Sequence, residues 1–258
     1  MKLFSLVVLL YALATSAYDE QSFPNLVVPT NLSPRNMEVS VQHRFQGKVD
    51  TAGTVFGLAT TVWADFGLRY VLWSTLEAKA AFYPFNGKEF ELGASYAYLI
   101  PKMFLRTQFD GTYYNYSSYT FDSTGQKETR KNAAAILMSA QTYPILNSIS
   151  PAINVGYDFD KSSWGMGTGL IVTLIEGLDV FGEYFPRLQK SPKDTTLTKN
   201  AFSFGVKLST AGHHFLFLLQ NCSFFNPAAG SIGSRHLMFG TDNNNLHFGF
   251  EIERLFSF

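Results

Sequence analysis

From Leu246 to the C-terminus the chain alternates strictly. Leu246, Phe248, Phe250, Ile252, Phe256 and Phe258 share one parity, interrupted by Arg254, while His247, Gly249, Glu251 and Glu253 occupy the other. Successive side chains of a strand point to opposite faces, so one face of this segment can lie in hydrocarbon while the other carries charge. That is the pattern of a transmembrane β-strand.

The N-terminus agrees with a route out of the cytoplasm. Lys2 precedes a run containing Leu3, Phe4, Leu6, Val7, Val8, Leu9 and Leu10, and small residues follow at Thr15, Ser16 and Ala17. Residues 1–17 read as a secretory signal peptide cleaved after Ala17. No other stretch approaches the roughly 18 to 20 apolar residues of a spanning helix, so a membrane crossing must be made by strands. The 20 Lys and Arg balance the 20 Asp and Glu, and loss of Lys2 with the leader leaves one net negative charge, so nothing points to nucleic acid. Cys222 is the sole cysteine and cannot close an intramolecular disulfide. A secreted chain of this size without disulfides fits a Gram-negative envelope. The Asn-x-Ser sequons at Asn31, Asn115 and Asn221 are then coincidental. Aromatic residues are as abundant as charged ones, 16% each, whereas a soluble domain carries about a quarter charged residues. With frequent Gly and no helical periodicity, the class is all-β.

Residues 18–35, with Pro24, Pro29 and Pro34, read as an extended segment rather than a strand. The remainder, 36–258, divides into twelve period-2 segments: 37–45, 59–70, 75–83, 88–99, 103–115, 132–142, 150–158, 165–175, 178–186, 201–209, 213–222 and 245–256. Twelve is even, as a closed bacterial barrel requires. The odd connections 46–58, 84–87, 116–131, 159–164, 187–200 and 223–244, four of them long, alternate with the even ones 71–74, 100–102, 143–149, 176–177 and 210–212, none longer than seven residues. Outer-membrane barrels have long extracellular loops and short periplasmic turns, so the expected architecture is an antiparallel up-and-down transmembrane β-barrel with both termini in the periplasm.

Parity assigns the faces. Phe90, Leu92, Ala94, Tyr96 and Tyr98 face lipid opposite Glu89, Glu91, Gly93, Ser95 and Ala97; Phe202, Phe204, Val206 and Leu208 oppose Ser203, Gly205 and Lys207. The expected lumen lining includes Glu38, Asp65, Glu77, Glu89, Glu91, Asp110, Asp158, Asp179, Glu183, Glu251 and Glu253, with Arg44, Arg69, Lys79, Arg106 and Lys207 as its bases. Acids outnumber bases, which gives the interior a net negative potential partly cross-linked by ion pairs. A soluble sandwich shows the same alternation; the leader, the terminal Phe and the loop alternation favour the barrel.

Three stretches carry a family resemblance. Met37-Glu38-Val39-Ser40-Val41-Gln42-His43-Arg44-Phe45 followed by Gly47 is similar to an opening strand ending His-Arg-Phe. Gly212-His213-His214-Phe215 leading to Asn221, and Phe248-Gly249-Phe250 running through Arg254 to Phe256, complete it. The chain resembles an uncharacterised Bacteroidetes-type family of outer-membrane β-barrels, a domain of unknown function, over residues 37–256. It departs at Ala211-Gly212-His213, where the family commonly shows Gly-Gly-His. The resemblance implies fold and location but no activity. The terminal Phe258 also resembles the signal by which the barrel assembly machinery recognises its clients, which makes that machinery and outer-membrane lipid the expected partners.

No catalytic, metal or cofactor site is expected. His213 and His214 are adjacent and point to opposite faces, His43, His236 and His247 are scattered, and no zinc spacing appears. These histidines read as interfacial or turn-capping. Outer-membrane phospholipases place Ser, His and Asn on a barrel's outer face, but here no His and Ser lie two apart on a lipid-facing strand. Tyr113, Tyr114, Tyr116, Tyr119 and Phe121 read as an aromatic girdle. The connection 223–244 is apolar enough to fold over or into the lumen. The leading functional reading is a small pore or transporter for modest solutes with an acid-rich lumen; the alternative is a closed barrel with a structural or surface-binding role.

Overall fold

The computed structural model describes residues 22–29, 32–49, 58–59, 62–73, 75–84, 89–100, 105–122, 125–142, 148–160, 162–186, 188, 200–224, 236–238 and 246–258. The leader 1–17 lies outside the described residues, as do most of 46–58 and of 187–200.

Twelve antiparallel strands close on themselves. They are β1 (Asn36–Lys48), β2 (Val62–Trp73), β3 (Leu76–Tyr83), β4 (Glu89–Ile100), β5 (Leu105–Asp122), β6 (Gly125–Thr142), β7 (Ile149–Asp158), β8 (Ser163–Ile175), β9 (Leu178–Phe185), β10 (Ala201–Thr210), β11 (His213–Gln220) and β14 (His247–Ser257). The hairpin of β12 (Cys222–Phe224) and β13 (His236–Met238) stands apart from this sheet. β1 closes the barrel by pairing with β14 on one side and β2 on the other. Closure satisfies the strand edges, the condition for crossing lipid with β-structure.

Two of the tight turns use glycine where a side chain would be strained: Gly177 and Gly212 have φ of 78° and 77°. Both lie at the end of the barrel that carries the short connections. At the opposite end one connection differs from expectation. Residues 116–131 are not a loop, because β5 runs on to Asp122 and β6 starts at Gly125, paired in register over the whole length. Such a ribbon is too polar for an alternating apolar pattern, so its strands are not visible as strands in the sequence. Within 223–244, Ser223, Phe224 and 236–238 form the small hairpin, and 225–235 and 239–245 lie outside the described residues.

The outer face is apolar. Phe66, Leu92, Tyr96, Phe109, Phe204 and Ile252 are all exposed, which in water would be an aggregation surface and in lipid is the required one. Tyr157 meets Phe159 and Trp164 edge-on at 5.1 and 5.3 Å near the long-loop end. Tyr114 departs from the girdle: it points inward, is fully buried, and donates its hydroxyl to Asp158 at 2.8 Å.

Candidate functional site

An eight-stranded barrel is filled by its own side chains and a sixteen-stranded one leaves an aqueous channel. With twelve strands, the contents of the interior decide between these outcomes. Glu38, Arg44, Asp65, Glu89, Glu91, Asp110, Glu183, Lys207, Glu251 and Glu253 are all buried, while Arg69 and Arg106 are half-buried.

On β1 to β5 and β14 the inward positions form charged clusters between strand neighbours. Arg69 donates to Glu38 from Nη1 and to Glu77 from Nη2, each at 3.0 Å, and Ser95 adds a hydroxyl to Glu77. Lys79 pairs with Asp110, which also accepts from Gln108. Arg44 lies 3.8 Å from Glu251 and donates to Gln42 at 2.8 Å, and Gln42 donates in turn to Glu251 at 2.8 Å. Asp65 is the register partner of Gln42, and Arg106 stands opposite Leu99 and Gln141. Glu89 and Glu91 project from β4 opposite Tyr83 and Ala81. Arg69 with Glu38 and Gln42 with Glu251 are cross-strand pairs, the usual unit of sheet stabilisation, here turned into the barrel, whereas Lys79 reaches Asp110 across β4.

On β8 to β11 the inward parity carries Asp179, Glu183, Ser203, Lys207 and His214 and, among them, an apolar group. Ile171, Phe181, Phe185, Leu216 and Leu218 are buried in one cluster. Their partner is the N-terminal segment, because Phe23, Leu26 and Val28 belong to the same cluster. Residues 22–29 therefore lie inside the barrel, a placement that Pro-bounded extended sequence alone did not suggest. A turn explains the re-entry: Asn36 donates its N–H to the Ser33 carbonyl at 3.1 Å, across Pro34 and Arg35. Arg35 has φ of 67°, so this has the pattern of a type II turn with Pro in its favoured position and a non-Gly residue strained in the next.

Polar contacts fix the segment laterally. Glu183 Oε1 accepts the backbone N–H groups of Asn25 and Leu26 at 2.9 and 2.8 Å, and its Oε2 accepts the Asn25 amide at 2.7 Å and the Ser203 hydroxyl. Ser22 donates to Glu253 at 2.8 Å, and Arg44 reaches the Pro24 carbonyl at 3.4 Å. His214 is neither interfacial nor turn-capping: it is fully buried, with Nδ1 2.8 Å from Glu253. Ser22, His214 and Glu253 are not a hydrolytic relay, since the serine and the carboxylate both address the same imidazole nitrogen. Lys207 pairs with Asp179 at 3.3 Å across β9 and β10.

Beside the segment remains a cavity of about 130 Å³, bounded by residues 22–28 on one side and by Glu38, Gln42, Arg69, Lys79 and Glu91 on the other. Among the described residues no group of His, Cys, Asp and Glu is arranged to hold a metal ion.

A family model described as "Membrane bound beta barrel domain (DUF5777)" matches residues 23–256. The chain belongs to this family. No curated protein matches by sequence. Among solved structures, the barrel is similar to the KdgM porin, with a TM-score of 0.51 and 8% identity over 85% of this chain and 98% of that one. It is similar to the NanC porin at TM-score 0.51 and 8% identity, covering 84% and 98%. Omp33 of Acinetobacter baumannii follows at TM-score 0.49 and 6% identity, covering 86% and 98%. At such identities the likeness is one of fold. This DUF5777 barrel is a protein of the bacterial outer membrane. The family match begins at Phe23 and so takes in the segment that lies inside the barrel.

Proposed function

We propose that the protein is a narrow pore for small solutes, with passage confined to the charged side of the interior and a preference for cations. The observation that carries this reading is the cavity between residues 22–28 and the charged clusters. Acids exceed bases along that wall, and a lining of one sign in a low-dielectric tube concentrates counter-ions and repels co-ions. A closed barrel is the second reading. It is favoured by Arg69, which braces β1 to β3 through Glu38 and Glu77 as a structural strut would.

Single-channel recording of the full-length protein in planar bilayers separates the two. A pore gives small discrete conductance steps and a reversal potential on the cation side in a salt gradient. Absence of any steps, with Glu91→Gln and Glu251→Gln lowering only thermal stability, would establish the closed barrel.

In this reading the leader directs export, Phe258 is the handle for the barrel assembly machinery, and both termini face the periplasm of a Gram-negative envelope, as in Bacteroidetes. Single cysteines placed in 187–200 and 223–244 should then react with an impermeant thiol reagent on intact cells, and one at 210–212 should not. Labelling at 210–212 would reverse the orientation.

A further inference from the structure

The inner wall of β8 to β11 is shaped for a peptide rather than for water. One oxygen of Glu183 takes two successive backbone N–H groups, so this carboxylate reads the main chain, and its other oxygen holds the Asn25 amide. Charge-assisted hydrogen bonds of this kind are among the stronger ones. Beside it the wall is hollow at Gly169. A Cβ there would stand 2.4 Å from Leu26 Cδ1 and 2.6 Å from Phe23 Cε1, so the two side chains occupy the space that any other residue on β8 would fill. Leu216, Leu218, Phe181 and Ile171 complete an apolar bed for them. Nothing in this set is covalent, and none of residues 22–29 belongs to a strand.

We propose that this wall is a peptide-binding site, built for a short extended chain that carries two apolar side chains three residues apart around an Asn. Residues 22–29 occupy it as a tethered ligand, and it takes the same peptide in trans when the tether is displaced. The ligand carries no carboxylate near its centre, because Glu183 would repel one. The site rests on the contacts of this wall and not on whether the barrel conducts ions.

The test uses the full-length protein in detergent micelles and a fluorescein-labelled octapeptide of residues 22–29, Ser-Phe-Pro-Asn-Leu-Val-Val-Pro, read by fluorescence anisotropy. F23D/L26D expels the tether and leaves the wall intact. This variant should bind the octapeptide saturably and at least tenfold more tightly than the wild type, whose site is filled. Adding Gly169→Leu should remove that binding at least tenfold, since the new side chain takes the place of Phe23 and Leu26. A folded F23D/L26D barrel that does not bind the peptide would overturn the proposal, and so would binding indifferent to Gly169→Leu. Should F23D/L26D fail to give the heat-modifiable band of a folded barrel, Asn25→Asp sets a carboxylate against Glu183 with minimal change of shape and is read the same way. In the wild type the amide hydrogens of Asn25 and Leu26 should exchange at least a hundredfold more slowly than in the isolated peptide; exchange at the peptide rate contradicts the seating itself. A wild type silent in bilayers would leave each of these outcomes unchanged, so failure of the pore and failure of this site are distinguishable.

Discussion

The two sides of the barrel interior are built on the same period-2 strand and end as different environments. Along β1 to β5 the inward positions carry Glu38, Gln42, Arg69, Glu77, Lys79 and Asp110, each tied to a neighbour across the sheet. Along β8 to β11 the same parity carries Ile171, Phe181, Phe185, Leu216 and Leu218, which meet Phe23, Leu26 and Val28, alongside the polar Asp179, Glu183, Lys207 and His214. Burying one such apolar side chain stabilises by about 1.5 to 3 kcal/mol, whereas a largely buried ion pair such as Arg69 with Glu38 recovers little beyond the cost of desolvating its charges. The apolar cluster therefore behaves as a protein core that recruits its own chain, and the charged clusters as ties across the sheet that leave a cavity beside them. A barrel too wide to be filled by wall side chains alone is filled on one side by residues 22–29 and keeps a cavity of about 130 Å³ on the other.

The largest effect should come from the apolar cluster. Leu216→Ala removes a fully buried side chain from beneath the segment and should cost about 2 to 5 kcal/mol, measured by denaturant unfolding in micelles. A loss below about 1 kcal/mol would mean that this cluster is not packed as a core. On the outer face, Phe250→Arg should cost roughly 2 to 4 kcal/mol at mid-strand, with inward Gly249→Arg escaping the lipid penalty and limited by crowding against Arg44 and Leu218. Equal tolerance of the two would show the facing to be wrong. Arg69→Met leaves Glu38 and Glu77 without the base between them. The cost should be about 1 to 3 kcal/mol, moderated because the Arg69 side chain retains 21% exposure and water can replace it. This variant should also raise the cation preference of any conductance, since it deletes a positive charge from the path. Smallest in stability is Glu91→Gln with Glu251→Gln, within about 1 kcal/mol, with a several-fold fall in cation over anion permeability as its main effect.

How much of this is legible in the sequence differs between the same two regions. The charged wall is readable residue by residue, because on β4 and β14 Glu91 and Glu251 are each flanked by outward aromatic or aliphatic residues. The apolar wall is not, since β11 runs Phe215-Leu216-Phe217-Leu218-Leu219 with apolar residues on both parities, and the alternation disappears. That loss of alternation was itself the available signal: a strand apolar on both faces needs an apolar occupant inside as well as lipid outside. What sequence could not supply is the occupant, because Glu183 and Gly169 lie far along the chain from Asn25 and Leu26. The ribbon over 116–131 is illegible for a different reason: its strands are polar, with no one-sided apolar face to give a period.

The division of the interior is tested most directly by thiol accessibility on its two sides. In a Cys222→Ser background, single cysteines at Gln42 and Ser40 in the charged sector are compared with single cysteines at Ile171 and Leu216 in the apolar sector, using a small, charged, water-soluble thiol reagent on the folded protein. Modification of the first pair should be at least a hundredfold faster than of the second. Equal rates on both sides would mean that water reaches the whole interior and that residues 22–29 do not fill the β8 to β11 side.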